Sequence, residues 1–177
     1  MLLRALKFLA GVVAGIFLWW DATPFYNQLI GAVAQPLLHL DSRFAGAVFE
    51  PLERMLRVTS STPLPVANIP ADLLTYNVIL LFALFATNDR PWHWKNLRAV
   101  VISLAVLFLA HVAGLLISVE STYALRMGEW STAHYGEISR DVWLSLELFY
   151  RIVGMFGVAF ACWWTAGGLR GAARNKA

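Results

Sequence analysis

Asn77, His111, Glu147 and Arg151 are the side chains here best placed to do chemistry, because each interrupts a run of apolar residues. An imidazole beside a carboxylate can move a proton. A carboxylate beside a guanidinium can hold a polar substrate, or a polar group on a partner's helix, through charge-assisted hydrogen bonds. Glu147 and Arg151 are four residues apart, which stacks them on one helix face with the acid on the favourable N-terminal side. The same residues could instead simply hold helices in register, since ionisable groups inside a membrane usually pair and face the interior. No glycine-rich phosphate loop, paired metal-ligand motif or nucleophile elbow accompanies them. Neither a catalytic residue, a metal nor a cofactor is therefore expected.

The elements that must position these residues are apolar helices. Of 177 residues, 59% are hydrophobic and 14% charged, against about 25% charged in an ordinary soluble domain. The small net charge of +3 is sorted along the chain, which argues against a nucleic-acid partner. A helix needs about 20 mainly apolar residues to cross a bilayer. Four segments qualify, at 5–20, 73–87, 97–119 and 142–166, the second being short. Arg4 and Lys7 precede an apolar stretch, as in a signal peptide, but Leu18-Trp19-Trp20-Asp21 is a poor cleavage site, so an uncleaved anchor is expected.

Lysine and arginine set the orientation. With the N-terminus inside, the cytoplasmic segments hold Arg4, Lys7, Arg90, Lys95, Arg98, Arg170, Arg174 and Lys176 against Asp89 alone. The outer segments hold five arginines against nine acids, giving +7 inside and −4 outside. Tryptophan, which favours the membrane–water boundary, agrees: Trp19, Trp20, Trp130 and Trp143 fall near the outer boundary, and Trp92, Trp94, Trp163 and Trp164 near the inner one. At about 1.5 Å per residue, Asn77, His111 and Glu147 reach similar depths in the outer half of the bundle, with Arg151 a turn deeper. Gly114, Gly154 and Gly157 lie on the same stripes, and Gly11 and Gly15 form a G-x-x-x-G pair; small residues of this kind permit close helix packing.

Between the first two spans, residues 21–72 form the longest outer stretch, and 120–141 a second outer loop. Thr23-Pro24 reads as an N-cap followed by a proline at the first helical position. The apolar spacing over Phe44–Leu56 suits an amphipathic helix that Pro51 would start or kink. Pro63, Pro65 and Pro70 make 58–70 extended, either a tied-down connector or a strand that binds a partner. Cys162, the one cysteine, has no polar neighbour in sequence and reads as a small hydrophobe. His39, His93 and His134 are scattered between the two sides and cannot share a metal.

The expected fold is all-α: a polytopic membrane protein forming a single domain over 1–177. It is a four-transmembrane-helix bundle, N-in and C-in, in a bacterial inner membrane, with an amphipathic helical segment on its outer face.

Thr23-Pro24-Phe25-Tyr26-Asn27 after the first span, and Asn96-Leu97-Arg98 opening a helix that contains His111-Val112-Ala113-Gly114, resemble the small membrane proteins that accompany exosortases. Exosortases resemble transpeptidases that use a membrane Cys, Arg and His. Here no Cys precedes the Arg and His, so the resemblance implies an accessory protein rather than an active sortase, and it assigns no functional residue. It implies an exosortase or its cargo as partner. Another inner-membrane complex, and a small enzyme or transporter working at the polar cluster, remain open alternatives.

Overall fold

The computed structural model describes residues 2–88 and 91–168. Asp89, Arg90, Arg170, Arg174 and Lys176, which enter the charge argument, lie outside the described residues. The chain is mostly helical: α1 (Leu2–Leu38), α2 (Asp72–Thr75), α3 (Asn77–Ala86), α4 (Trp94–Arg126), α5 (Glu129–His134), α6 (Glu137–Phe149) and α7 (Met155–Trp163). A π-helical turn at Tyr150–Gly154 joins α6 to α7 without a break in the helix. Among the described residues, three helices are long and apolar enough to cross a membrane: Leu2–Leu38, Trp94–Arg126 and Glu137–Ala166. The segment Asp72–Ala86 is apolar but shorter.

The structure corrects the all-α expectation. The segment read as an amphipathic helix is a β-hairpin, β1 (Ala47–Leu52) and β2 (Met55–Ser60), with β3 (Ala67–Ile69) added antiparallel to β2. Alternation decides the outcome: Ala47 and Phe49, Leu56 and Val58, and Ala67 and Ile69 are buried, whereas Val48, Glu50 and Asn68 are exposed. Period two buries one face of a strand, and Pro51 denies the segment a continuous helix. The hairpin closes through Glu53-Arg54, with Glu53 at φ 52°, the left-handed region that primed two-residue turns require.

Thr23-Pro24 does not start a new helix either. The helix runs through both Pro24 and Pro36, each lacking one backbone donor. At about 1.5 Å per residue α1 is about 55 Å long and α4 about 50 Å. Both exceed the roughly 30 Å of a hydrocarbon core.

The chain divides into two compact units. The first comprises residues 2–22, 76–88, 91–110 and 154–168 of the described chain. Its core is Leu81 and Phe85 of α3, Leu107 of α4 and Ala159 of α7. The outward positions of α1 and α4 here are apolar, among them Val13, Phe17, Val101, Ile102 and Leu109. Gly11 and Gly15 pack α1 against α3: a Cβ on Gly11 would stand 2.7 Å from Ala86 Cβ and 2.8 Å from Ala83 Cα.

The second unit, 23–75 with 111–153, holds the sheet. Its inner face lies on the last turns of α1, where Leu56 and Phe49 pack on Gly31. Ten of the fourteen residues of α4 from His111 to Ala124 are buried. Tyr123 is fully enclosed, donates to the Pro65 carbonyl at 2.6 Å and meets Phe44 edge to face.

Both sheet edges are used or shortened. In a two-residue hairpin the closing pair shares hydrogen bonds and alternate pairs turn outward. The outward groups of β1 are therefore those of Ala47, Phe49 and Pro51. The Ala47 carbonyl bonds His39 Nε2 at 2.7 Å, the Phe49 N–H donates to Gln35 Oε1 at 3.3 Å, and Pro51 has no donor. The opposite edge is the three-residue β3, bounded by Pro65 and Pro70. Such blunting keeps an edge from pairing with another chain.

Candidate functional site

Glu147 is the centre of the densest polar arrangement along α6. It faces α4 with 6% of its side chain exposed. Its Oε1 lies 2.6 Å from Arg151 Nη2 and 3.6 Å from Arg126 Nη2, and its Oε2 accepts a hydrogen bond from the Ser121 hydroxyl. Glu147 is thus level with the last two turns of α4, past Val119, where the apolar stretch 97–119 ends. The π-helical turn begins immediately after α6, so Arg151 sits where the helix widens. Turns of this kind are rare and often fall at functional positions.

His111 is fully buried, and its Nδ1 lies 2.8 Å from the Tyr26 hydroxyl. Gly114, one turn on, receives the ring of Tyr150, which occupies the space of a Cβ. The Tyr150 hydroxyl is buried and meets no hydrogen-bond partner among the described residues.

Asn77 belongs to the first unit, where its Nδ2 donates to the Met155 carbonyl at 2.7 Å and fastens the start of α3 to the start of α7. Of the four residues singled out by type, then, Glu147 and Arg151 meet directly, His111 pairs with Tyr26, and Asn77 pairs with backbone. Gly154 closes the π-helical turn, and Gly157 lies on an exposed face.

No match to this chain comes from family models, curated proteins or solved structures.

One network was not foreseen from sequence. Arg43, in the short 3-10 turn Ser42–Phe44, reaches both Asp41 oxygens, with Nε at 3.0 Å from each and Nη2 at 2.5 Å from Oδ2. Its Nη2 is also 3.3 Å from Glu120 Oε2, which accepts from the Tyr135 hydroxyl at 2.6 Å. The guanidinium lies over the Tyr135 ring at 4.0 Å. Hydrogen bonding to Arg43 holds the Asp41 carboxyl below its usual range, and the same contact raises Arg43 further. Burial drives the Tyr135 phenol upward, aided by its bond to Glu120. Arg43 and Glu120 are 77 residues apart, so no local spacing announces the pair.

The carboxylates are already engaged: Glu147 and Glu120 each meet an arginine and accept from a hydroxyl, and Asp41 accepts from Arg43. No three His, Cys, Asp or Glu side chains gather as a metal site among the described residues. His134 stacks on Trp130 with ring centroids 4.2 Å apart.

Proposed function

We propose that the chain is a non-enzymatic accessory or assembly subunit of a larger bacterial inner-membrane complex. The observation that carries this reading is the internal pairing of its polar side chains. Glu147, Asn77, His111 and Arg43 each meet a partner within the fold, which is how a scaffold uses polarity. The sheet and the helices around it give the protein an ordered, partly polar surface that a simple anchor would not need.

In this reading four segments cross the membrane, N-in and C-in, with residues 21–72 on the outer side. The segment Asp72–Ala86 would reach about 22 Å at about 1.5 Å per residue. It spans by local thinning of the bilayer or with help from its flanks. The surplus of lysine and arginine in the segments placed inside supports the orientation. The resemblance to exosortase-associated proteins makes an exosortase, or its cargo, the first partner to test.

Co-purification from native membranes in mild detergent, with crosslinking and mass spectrometry, tests the proposal. A stoichiometric membrane-protein partner is expected. Reporter fusions at Asn68 and Ala177 should report opposite compartments.

One observation favours a second reading, a small membrane enzyme or transporter: the part-buried Tyr26–His111 pair lies one turn from Gly114 and the Tyr150 hydroxyl that packs on it. If His111→Gln abolished function while partner binding persisted, this second reading would take precedence.

A further inference from the structure

Glu147 does not neutralise the charge gathered around it. Two guanidiniums converge on its Oε1, leaving one net positive charge. The carboxylate is 6% exposed, whereas the Arg151 side chain is 39% and the Arg126 side chain 59% exposed. The acid is therefore the buried floor of the cluster, and the two cations form its outer surface. A guanidinium carries five N–H donors in a fixed fork, and the contacts to Glu147 engage one nitrogen of each. The Nε of Arg151 is enclosed and has no hydrogen-bond partner among the described residues.

The charge surplus is local. Arg140, also on α6, lines a groove with Leu125, Glu137 and Asp141, so acids stand beside it. Around Arg151 the neighbouring outward positions are instead apolar: Leu148, Phe149, Ile152 and Val153 are all exposed. Forked donors with a net positive charge, set at the edge of an apolar helix face, match a phosphate joined to hydrocarbon chains.

We propose that Arg126 and Arg151, propped apart by Glu147, form a binding site for the phosphate of an anionic phospholipid, whose acyl chains lie along Leu148 and Ile152. The arginines supply paired donors to the phosphate oxygens, and Glu147 with Ser121 fixes their spacing. The site requires no partner protein, so it stands or falls separately from the accessory-subunit reading.

The test is native mass spectrometry of the full-length protein in mild detergent, with phosphatidylglycerol, phosphatidylcholine and inorganic phosphate as probes. Phosphatidylglycerol should be retained in preference to phosphatidylcholine, and inorganic phosphate should not displace it. Arg126→Gln, at a largely exposed position, should lower retention about tenfold, the scale of a lost charge-assisted hydrogen bond. Arg57→Gln, on the exposed face of the sheet, should leave retention unchanged. Equal retention of the two lipids, no loss in Arg126→Gln, or an equal loss in Arg57→Gln would overturn the proposal. Displacement by inorganic phosphate would also overturn it, by making a free anion the ligand.

Discussion

The ring of Tyr150 lies against Gly114 in the space that a Cβ would fill. This contact sets how closely the end of α6 approaches α4, because nothing larger than hydrogen fits between the ring and the helix backbone. Gly114→Ala should destabilise the protein by about 1–3 kcal/mol, the cost of inserting a methyl group into a packed site. Thermal unfolding in detergent measures it. Tyr150→Leu in the Gly114→Ala background should recover part of the loss, since the two positions share one contact. An unchanged melting temperature in Gly114→Ala would mean the ring does not pack there.

Glu147 and Arg126 should respond very differently to neutralisation. Glu147→Gln takes the carboxylate from two guanidiniums that are themselves 39% and 59% exposed, so the loss is that of charge-assisted hydrogen bonds, about 1.5–3 kcal/mol. Arg126→Gln removes a 3.6 Å contact from a side chain that is 59% exposed, and exposed pairs contribute about 1 kcal/mol or less. Chemical or thermal unfolding of both variants checks the difference. Equal losses would show that Glu147 is as well solvated as Arg126.

Gly11 tests the packing of α1 on α3. A Cβ there would stand 2.8 Å from the backbone of Ala83, and backbone cannot swing aside as a flexible side chain can. Gly11→Val should therefore separate the two helices and cost at least about 1–3 kcal/mol. The readout is the melting temperature in detergent, which should fall. An unchanged melting temperature would contradict the close approach.

Asp41 gives a pH signature. Arg43 lowers its carboxyl in the folded state, so the stability it contributes is complete above the unfolded value of about 4. That contribution is lost as the pH falls through the lower folded value. The melting temperature should drop as the pH is lowered from about 4, and Asp41→Asn should show a smaller drop over the same range. The effect is modest, because the pair is partly exposed.

Much of the helical framework was readable from sequence because its signals are local. Apolar runs placed three long helices, and the four-residue spacing of Glu147 and Arg151 put them on one face. The hairpin was hidden by its turn. Glu53-Arg54 lacks the Gly or Asn that usually marks a two-residue loop, so Phe44, Val48, Phe49, Leu52, Met55 and Leu56 read as one helical stripe rather than two alternating strands. Val48, Val58 and Thr59, β-branched and close to Pro51, were the available clue. Thr23-Pro24 misled in the opposite sense: a proline suited to a helix start is here carried inside one. The Arg43–Glu120–Tyr135 network and the Tyr26–His111 pair join residues far apart in sequence, and only the folded chain brings them together.

The proposal that this protein works as a subunit of a membrane assembly is decided by crosslinking in native membranes followed by purification and mass spectrometry. One integral-membrane partner at constant ratio, crosslinked through residues 21–72, is expected. A chain that emerges alone, crosslinked only to itself, would contradict it.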